Sequence, residues 1–209
     1  MQKVFCIGAN KTGTSSLNHF FQYHGFNCGD QVAGELLFTS AYAQKDWQAI
    51  IDFAGSADFF QDLPFSASGT YIELLKAYPD ASFILSLRRN SEEWYRSLCA
   101  HHCSLLGCTG RAPRREDLAK ASYRYPGFMW EANRLLYDSP PENPYCERSL
   151  RAWYDAHNAG VRKHFAAENR SEQLLEIEIG DQNAAAQIAE FIGFELKMST
   201  LPHLNRHLS

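Results

Sequence analysis

The amino-acid sequence predicts an α/β fold of three layers, with helices on both faces of a central, mostly parallel sheet. Three observations lead there. Val4-Phe5-Cys6-Ile7 and Ser82-Phe83-Ile84-Leu85-Ser86-Leu87 are short and almost wholly apolar, as expected for strands covered on both faces. Each is followed by turn residues and then by apolar positions at helical spacing. Strand-like and helix-like segments also alternate along the chain, which favours parallel strands joined by helical crossovers.

Taken in order, residues 4–7 form the first strand, and Gly8-Ala9-Asn10-Lys11-Thr12-Gly13 a tight loop. Leu17, Phe20, Phe21 and His24 then recur on one helical face, closed by Gly25. Residues 46–54 place Trp47, Ile50, Ile51 and Ala54 on one side of a helix. Residues 58–61 make a short strand, stopped by Asp62-Leu63-Pro64. Tyr71, Leu74, Leu75 and Tyr78 give a further helical stripe before Pro79, and residues 82–87 give the clearest later strand. A helix follows from Ser91, which serves as a cap ahead of Glu92 and Glu93 in the first turn.

Residues 109–115, with Gly110 and Pro113, read as a loop. Residues 118–137 and 145–167 read as mostly helical, separated by the proline-rich stretch 139–144. A strand at 174–179 and a helix at 184–192, ending at Gly193, complete the pattern before an irregular tail. The whole of 1–209 is expected to be one domain, with about 100–170 forming a helical region on one side of it.

Composition narrows the function. The 209 residues are 45% apolar and include 14 Phe, 10 Tyr and 4 Trp, enough for a packed core and unlike a disordered chain. A formal net charge of -4 argues against a general nucleic-acid surface. The six cysteines are not needed to stabilise a chain of this size, and Cys6 lies within an apolar strand, so reduced thiols and a cytoplasmic setting are expected. The apolar segment at the start is too short for a signal peptide, and nothing approaches the roughly 20 residues of a membrane span.

In a parallel sheet of this kind ligands sit at the carboxyl ends of the strands. That places the loops 8–16, 61–65 and 88–91 at one site. Gly8 to Ser15 carry the glycine frame of a phosphate-binding loop, G-x-x-x-x-G-K-[ST], in which backbone N–H groups and a helix N-terminus face an anion. Thr14 stands where a nucleotide hydrolase has its lysine, and Lys11 lies three residues earlier. That arrangement argues against Mg²⁺-assisted ATP or GTP hydrolysis.

Lys11-Thr12-Gly13-Thr14-Ser15 instead resembles the 5'-phosphosulfate loop of the sulfotransferases that use 3'-phosphoadenosine 5'-phosphosulfate (PAPS). Arg89-Asn90, at the end of the strand 82–87, with Ser97 eight residues beyond Arg89, resembles that family's site for the 3'-phosphate of the cofactor. Ser91 replaces the family's usual proline. A guanidinium and a helix hydroxyl suit such a phosphate, since the fork of N–H groups matches its oxygens. Residues 174–179, the helix containing Ile188 to Gly193, and the terminal Pro202-His203-Leu204-Asn205 are similar to late parts of the family. The resemblance implies a P-loop-containing sulfotransferase-like fold, with Asn10, Lys11, Thr12, Gly13, Thr14, Ser15, Arg89 and Ser97 binding the cofactor.

It also implies two reacting groups. Lys11 would neutralise the departing phosphate. Asp62, in Gln61-Asp62-Leu63-Pro64, falls where cytosolic members carry a catalytic His, and would take the acceptor's proton. A model-peptide Asp titrates at about 3.9, so burial would have to raise it. His101 and His102 are alternative bases. Cys99, His102, Cys103 and Cys108 match no common zinc spacing, and no metal is expected. The acceptor, a hydroxyl or amine of a small molecule, glycan or lipid, is left open. Two other functions remain compatible with the sequence: a P-loop kinase or NTPase using Mg-ATP, and a catalytically silent PAP-binding protein.

Overall fold

The computed structural model describes residues 2–202. Its centre is a sheet of four strands, β1 (Val4–Cys6), β2 (Phe59–Phe60), β3 (Ser82–Leu87) and β4 (Leu174–Glu178). They lie in the order β2-β1-β3-β4, and every adjacent pair is parallel. Nine helices connect and flank them among the described residues: α1 (Thr14–Tyr23), α2 (Gln31–Ser40), α3 (Trp47–Ala54), α4 (Thr70–Ala77), α5 (Ser91–Leu106), α6 (Arg115–Lys120), α7 (Phe128–Leu136), α8 (Glu147–Ala167) and α9 (Ala184–Ile192).

Alternation along the strands explains the three layers. Phe5, Ile7, Phe60, Phe83 and Leu85 point to one face, where they pack with Ile50, Leu74, Leu75, Val161 and Phe165 from α3, α4 and α8. Val4, Cys6, Phe59, Ile84 and Ile177 point to the other, against Leu17, Phe20 and Phe21 of α1 and Ala184, Ala185 and Ile188 of α9. Both faces of β1 and β3 are therefore closed to water, which is why their sequences read as apolar runs rather than alternating ones. A third apolar cluster joins α5, α7 and α8 through Trp94, Leu98, Phe128, Met129, Leu150 and Tyr154, away from the sheet.

The expected segments match with small shifts. The strand at 58–61 shortens to β2, and the helix from Ser91 is capped by Asn90, whose side chain accepts from Glu93 N at 2.9 Å. Residues 118–137 are not one mostly helical stretch: α6 ends at Lys120, and residues 121–127 form a loop before α7. Pro126 and Gly127 lie in that break, and Gly127 adopts φ 90, a value outside any right-handed helix. α2 was not anticipated. Asp30 caps it, accepting from Val32 N at 2.8 Å and Ala33 N at 3.2 Å. Of the terminal Pro202-His203-Leu204-Asn205 motif, residues 203–205 lie outside the described residues.

Candidate functional site

The β1–α1 loop is shaped from beneath by β3. Gly8 lies so close to Ser86 that an added Cβ would sit 2.3 Å from its carbonyl oxygen. The Thr12 hydroxyl donates to Ala9 O at 2.6 Å and meets Ser86 Oγ at 2.6 Å. Ser86 Oγ also lies 3.4 Å from Cys6 Sγ. From the side, the Trp94 indole donates to Asn10 O at 2.9 Å, and Trp94 is itself fully buried and stacked on Tyr154. The loop is thus pinned from two directions by side chains of β3 and α5.

Pinned this way, the chain takes two left-handed residues, Lys11 (φ 67) and Gly13 (φ 90), before entering α1. Gly13 meets φ 90 without penalty, whereas Lys11 holds a conformation unusual for a side-chain-bearing residue. No side chain caps α1, and its first turn holds no acidic residue. Its positive end therefore opens into the adjoining cavity, which Gly13, Thr14, Ser15 and Ser16 help to line.

That cavity has a volume of about 310 Å³. Lys11 and Arg88 bring positive charge to it, and Asp62 and Glu35 bring negative charge. The α7 side supplies an apolar wall from Phe128, Met129, Ala132 and Leu136. Burial holds the Lys11 ammonium below its ordinary value; Asp62 opposes this and Arg88 reinforces it. Burial also pushes the Asp62 carboxyl up to about 7, with Glu35 adding to the rise, while Leu63 N–H, Lys11 and Arg124 pull the other way. Leu63 N donates to Asp62 Oδ1 at 3.1 Å, and Asp62 takes φ 61, a left-handed conformation that Asp tolerates better than most residues.

The expected residues divide into three groups. Asn10, Lys11, Gly13, Thr14, Ser15 and Asp62 all line the cavity. Thr12 does not: it is 1% exposed, and its hydroxyl is engaged within the loop. Its part is to hold the loop's shape rather than to touch a ligand. At the end of β3 the arginine that reaches Ser97 is Arg88, not Arg89. Arg88 Nη2 donates to Ser97 Oγ at 3.2 Å, Nε donates to Lys11 O at 2.9 Å, and Nη1 pairs with Glu93 at 3.3 Å. Arg89, in the bend that follows, is exposed.

Further residues line the cavity: Glu35, which was not anticipated as functional, and His102, expected as an alternative base, together with Tyr137. Glu35, on α2, is 4% exposed and paired with Arg124. The His102 ring bonds to the Tyr145 hydroxyl through Nδ1. Burial, then His101 and Lys11, drive the His102 imidazole down to about 3. Tyr137 closes the end of α7, with a buried hydroxyl. Among the described residues no group of three His, Cys, Asp or Glu side chains is placed to hold a metal ion, and no helix is long and apolar enough to cross a membrane. All six cysteines are unpaired.

Comparison with known proteins accords with this geometry. A crystal structure of a sulfotransferase from Alicyclobacillus acidocaldarius is similar in fold, with a TM-score of 0.56 and 17% identity over 100% of this chain and 87% of that one. No curated protein gives a match. The family model described as a sulfotransferase domain matches residues 3–209. A parallel α/β sheet with a glycine-bearing loop after its first strand, and a match to that model across nearly its full length, make this chain a member of the sulfotransferase family.

Proposed function

We propose that the protein transfers a sulfuryl group from PAPS to a hydroxyl or amine acceptor, releasing PAP. The observation that carries this is the convergence of Lys11, Asp62 and the uncapped start of α1 on one cavity. The residues suit an anionic donor: two cations and a helix N-terminus meet there, with no carboxylate in the first turn of α1. When bound, PAPS supplies an activated sulfuryl group and a phosphate leaving group.

Thr14, Ser15 and the loop amides would hold the 5'-phosphate. Lys11 would offset the negative charge that grows as the phosphate leaves, in the manner of charge-stabilising groups in phosphoryl transfer. Arg89 and Ser97 would hold the 3'-phosphate, with Arg88 bracing Ser97 and the carbonyl of Lys11. Asp62 is the better base on physical grounds. A carboxyl near 7 is matched to neutral pH, whereas an imidazole near 3 is a weak proton acceptor there. His102 would instead serve as a neutral hydrogen-bonding group. The apolar face of α7 favours an acceptor whose reactive hydroxyl or amine is carried on an apolar body.

A thermal-shift titration with PAP against Mg-ATP tests the donor. At a ligand concentration of about 100 times Kd, PAP should stabilise the protein by about 2.7 kcal/mol, a rise in Tm of about 5–10 °C for a chain of this length. Stabilisation by Mg-ATP and not by PAP would overturn the proposal in favour of a kinase. PAP binding without PAPS turnover over a broad panel of acceptors would favour a silent PAP-binding protein.

A further inference from the structure

A single base suffices for sulfuryl transfer, yet this cavity holds a second carboxylate, and one that no step uses. Glu35 is the feature to explain, because a buried charge is costly unless it is held. It is held completely. Gln31 Nε2 donates to Glu35 Oε1 at 2.9 Å, the Tyr123 hydroxyl reaches the same oxygen at 3.4 Å, and Arg124 Nε donates to Oε2. The Arg124 guanidinium also lies over the Tyr123 ring, 4.2 Å from its centre. With both oxygens engaged, Glu35 has little capacity left to bind an acceptor or to take its proton.

Asp62 is the opposite case. Among the described residues its carboxylate takes one hydrogen bond, from the adjacent Leu63 N–H. The two carboxylates are linked by structure as well as by proximity: Gln61, next to Asp62 in the chain, donates through Nε2 to Gln31 Oε1 at 3.2 Å, and Gln31 donates on to Glu35. Other groups face Asp62 too. Lys11 comes from the β1–α1 loop, Arg124 and Tyr123 from the segment before α7, Tyr137 from the end of α7, and Cys6 from β1. Of these only Glu35 and Arg124 form an opposed, directly bonded pair.

We propose that Glu35 is a positioning residue for the base: clamped by Arg124, it presents a fixed negative charge to Asp62 across the cavity, and Arg124 sets how much of that charge is felt. This rests on the assignment of Asp62 as base. The rival reading is a plain structural tie, in which the pair merely fastens residues 121–127 to α2. The two differ in sign. Losing the Glu35 charge leaves Arg124 facing Asp62 alone and makes its carboxyl easier to ionise. Losing the Arg124 charge leaves Glu35 unscreened and makes it harder. A structural tie predicts loss of stability for both changes and no opposed effect on Asp62.

The test is a pH titration of the aspartate side-chain carbons by ¹³C NMR in the free full-length protein, with Asp62→Asn identifying the resonance. Glu35→Gln should lower the Asp62 midpoint by on the order of one pH unit or more, and Arg124→Gln should raise it by a similar amount. Glu35→Gln/Arg124→Gln should fall between the two. An unchanged midpoint in Glu35→Gln, or shifts of the same sign in both single variants, would overturn the proposal. Should Arg124→Gln fail to fold because it strands Glu35, Glu35→Gln and the double variant decide it, since neither leaves an unpaired carboxylate. The titration needs neither PAPS nor an acceptor, so its failure is distinct from a failure of the sulfotransfer proposal. In turnover, the acid limb of the pH–rate profile should move in the same directions as the midpoints.

Discussion

Replacing Asp62 by Asn should make the protein more stable and nearly inactive, and the stability gain should appear only above acid pH. The substitution preserves shape, keeps an oxygen for the Leu63 N–H, and suits φ 61, because Asn tolerates the left-handed region as well as Asp does. The sign follows from linkage. In the folded protein the Asp62 carboxyl titrates near 7 against an ordinary value of 3.8, so the unfolded chain ionises first. Wild-type stability from this group is complete below about pH 4 and is lost as pH rises towards 7. A difference of about three pH units at 1.36 kcal/mol each gives about 4 kcal/mol. Asp62 is partly open to the cavity, and water there reduces the figure to about 2–3 kcal/mol. Urea unfolding at a series of pH values measures it. The variant should match wild type within about 0.5 kcal/mol at pH 4, gain steadily to pH 7 and level off above. Its turnover should fall by about 10²–10⁴. A gain independent of pH, or one that grows as pH falls, would refute the assignment of a buried, proton-holding carboxyl.

Other outcomes follow from the same geometry. Arg89→Ala should weaken PAP binding by about 10–100-fold, the value of a lost charged contact to phosphate, with little change in Tm, whereas Arg88→Ala should lower Tm as well by freeing Ser97 and the Lys11 carbonyl; calorimetry and thermal melts separate them. Gly8→Ala should destabilise by about 1–3 kcal/mol or more, since its Cβ would collide with the Ser86 backbone, and PAP affinity should fall with it. His157, 4% exposed and donating to Ile7 O at 2.8 Å, is held below its ordinary value by burial. Its neutral form supports the fold, so stability should decline as pH falls below about 6.5, and His157→Gln should flatten that acid slope in urea titrations.

Much of the β1–α1 loop and of β3 was legible in the sequence because local chemistry shapes them. An apolar strand, a glycine frame and a helical stripe specify the β1–α1 loop without reference to distant residues, and β3 is equally plain. The misreadings concern direction and long-range contact. Two adjacent arginines at a strand end are indistinguishable by composition; only the carbonyl of Lys11, 77 positions away, shows which one turns inward. Thr12 looked like a ligand residue because its partner, Ser86, lies on another strand. α2 escaped notice because its pattern is mixed: Gly34 sits mid-helix, Val32 and Leu36 are exposed, and Glu35 is buried where an apolar residue would be expected. Asp30 was a usable capping signal. Apolar spacing makes 118–137 look mostly helical, while Pro126-Gly127 marks the interruption between α6 and α7.

The apolar cluster that joins α5, α7 and α8 bears on how such an enzyme diversifies. Its members form a cluster separate from the two that cover the sheet, tied to the site through Trp94 at the Asn10 carbonyl and Tyr154 at the Arg88 amide. The α7 side chains that wall the cavity make neither of those bonds, so this wall can vary while both stay in place. An ancestral duplication could keep its donor chemistry and explore new acceptors one side chain at a time. A protein engineer has the same freedom: a library restricted to the cavity-facing positions 128, 129, 132 and 136 varies that wall while leaving Lys11, Asp62 and Arg88 unchanged.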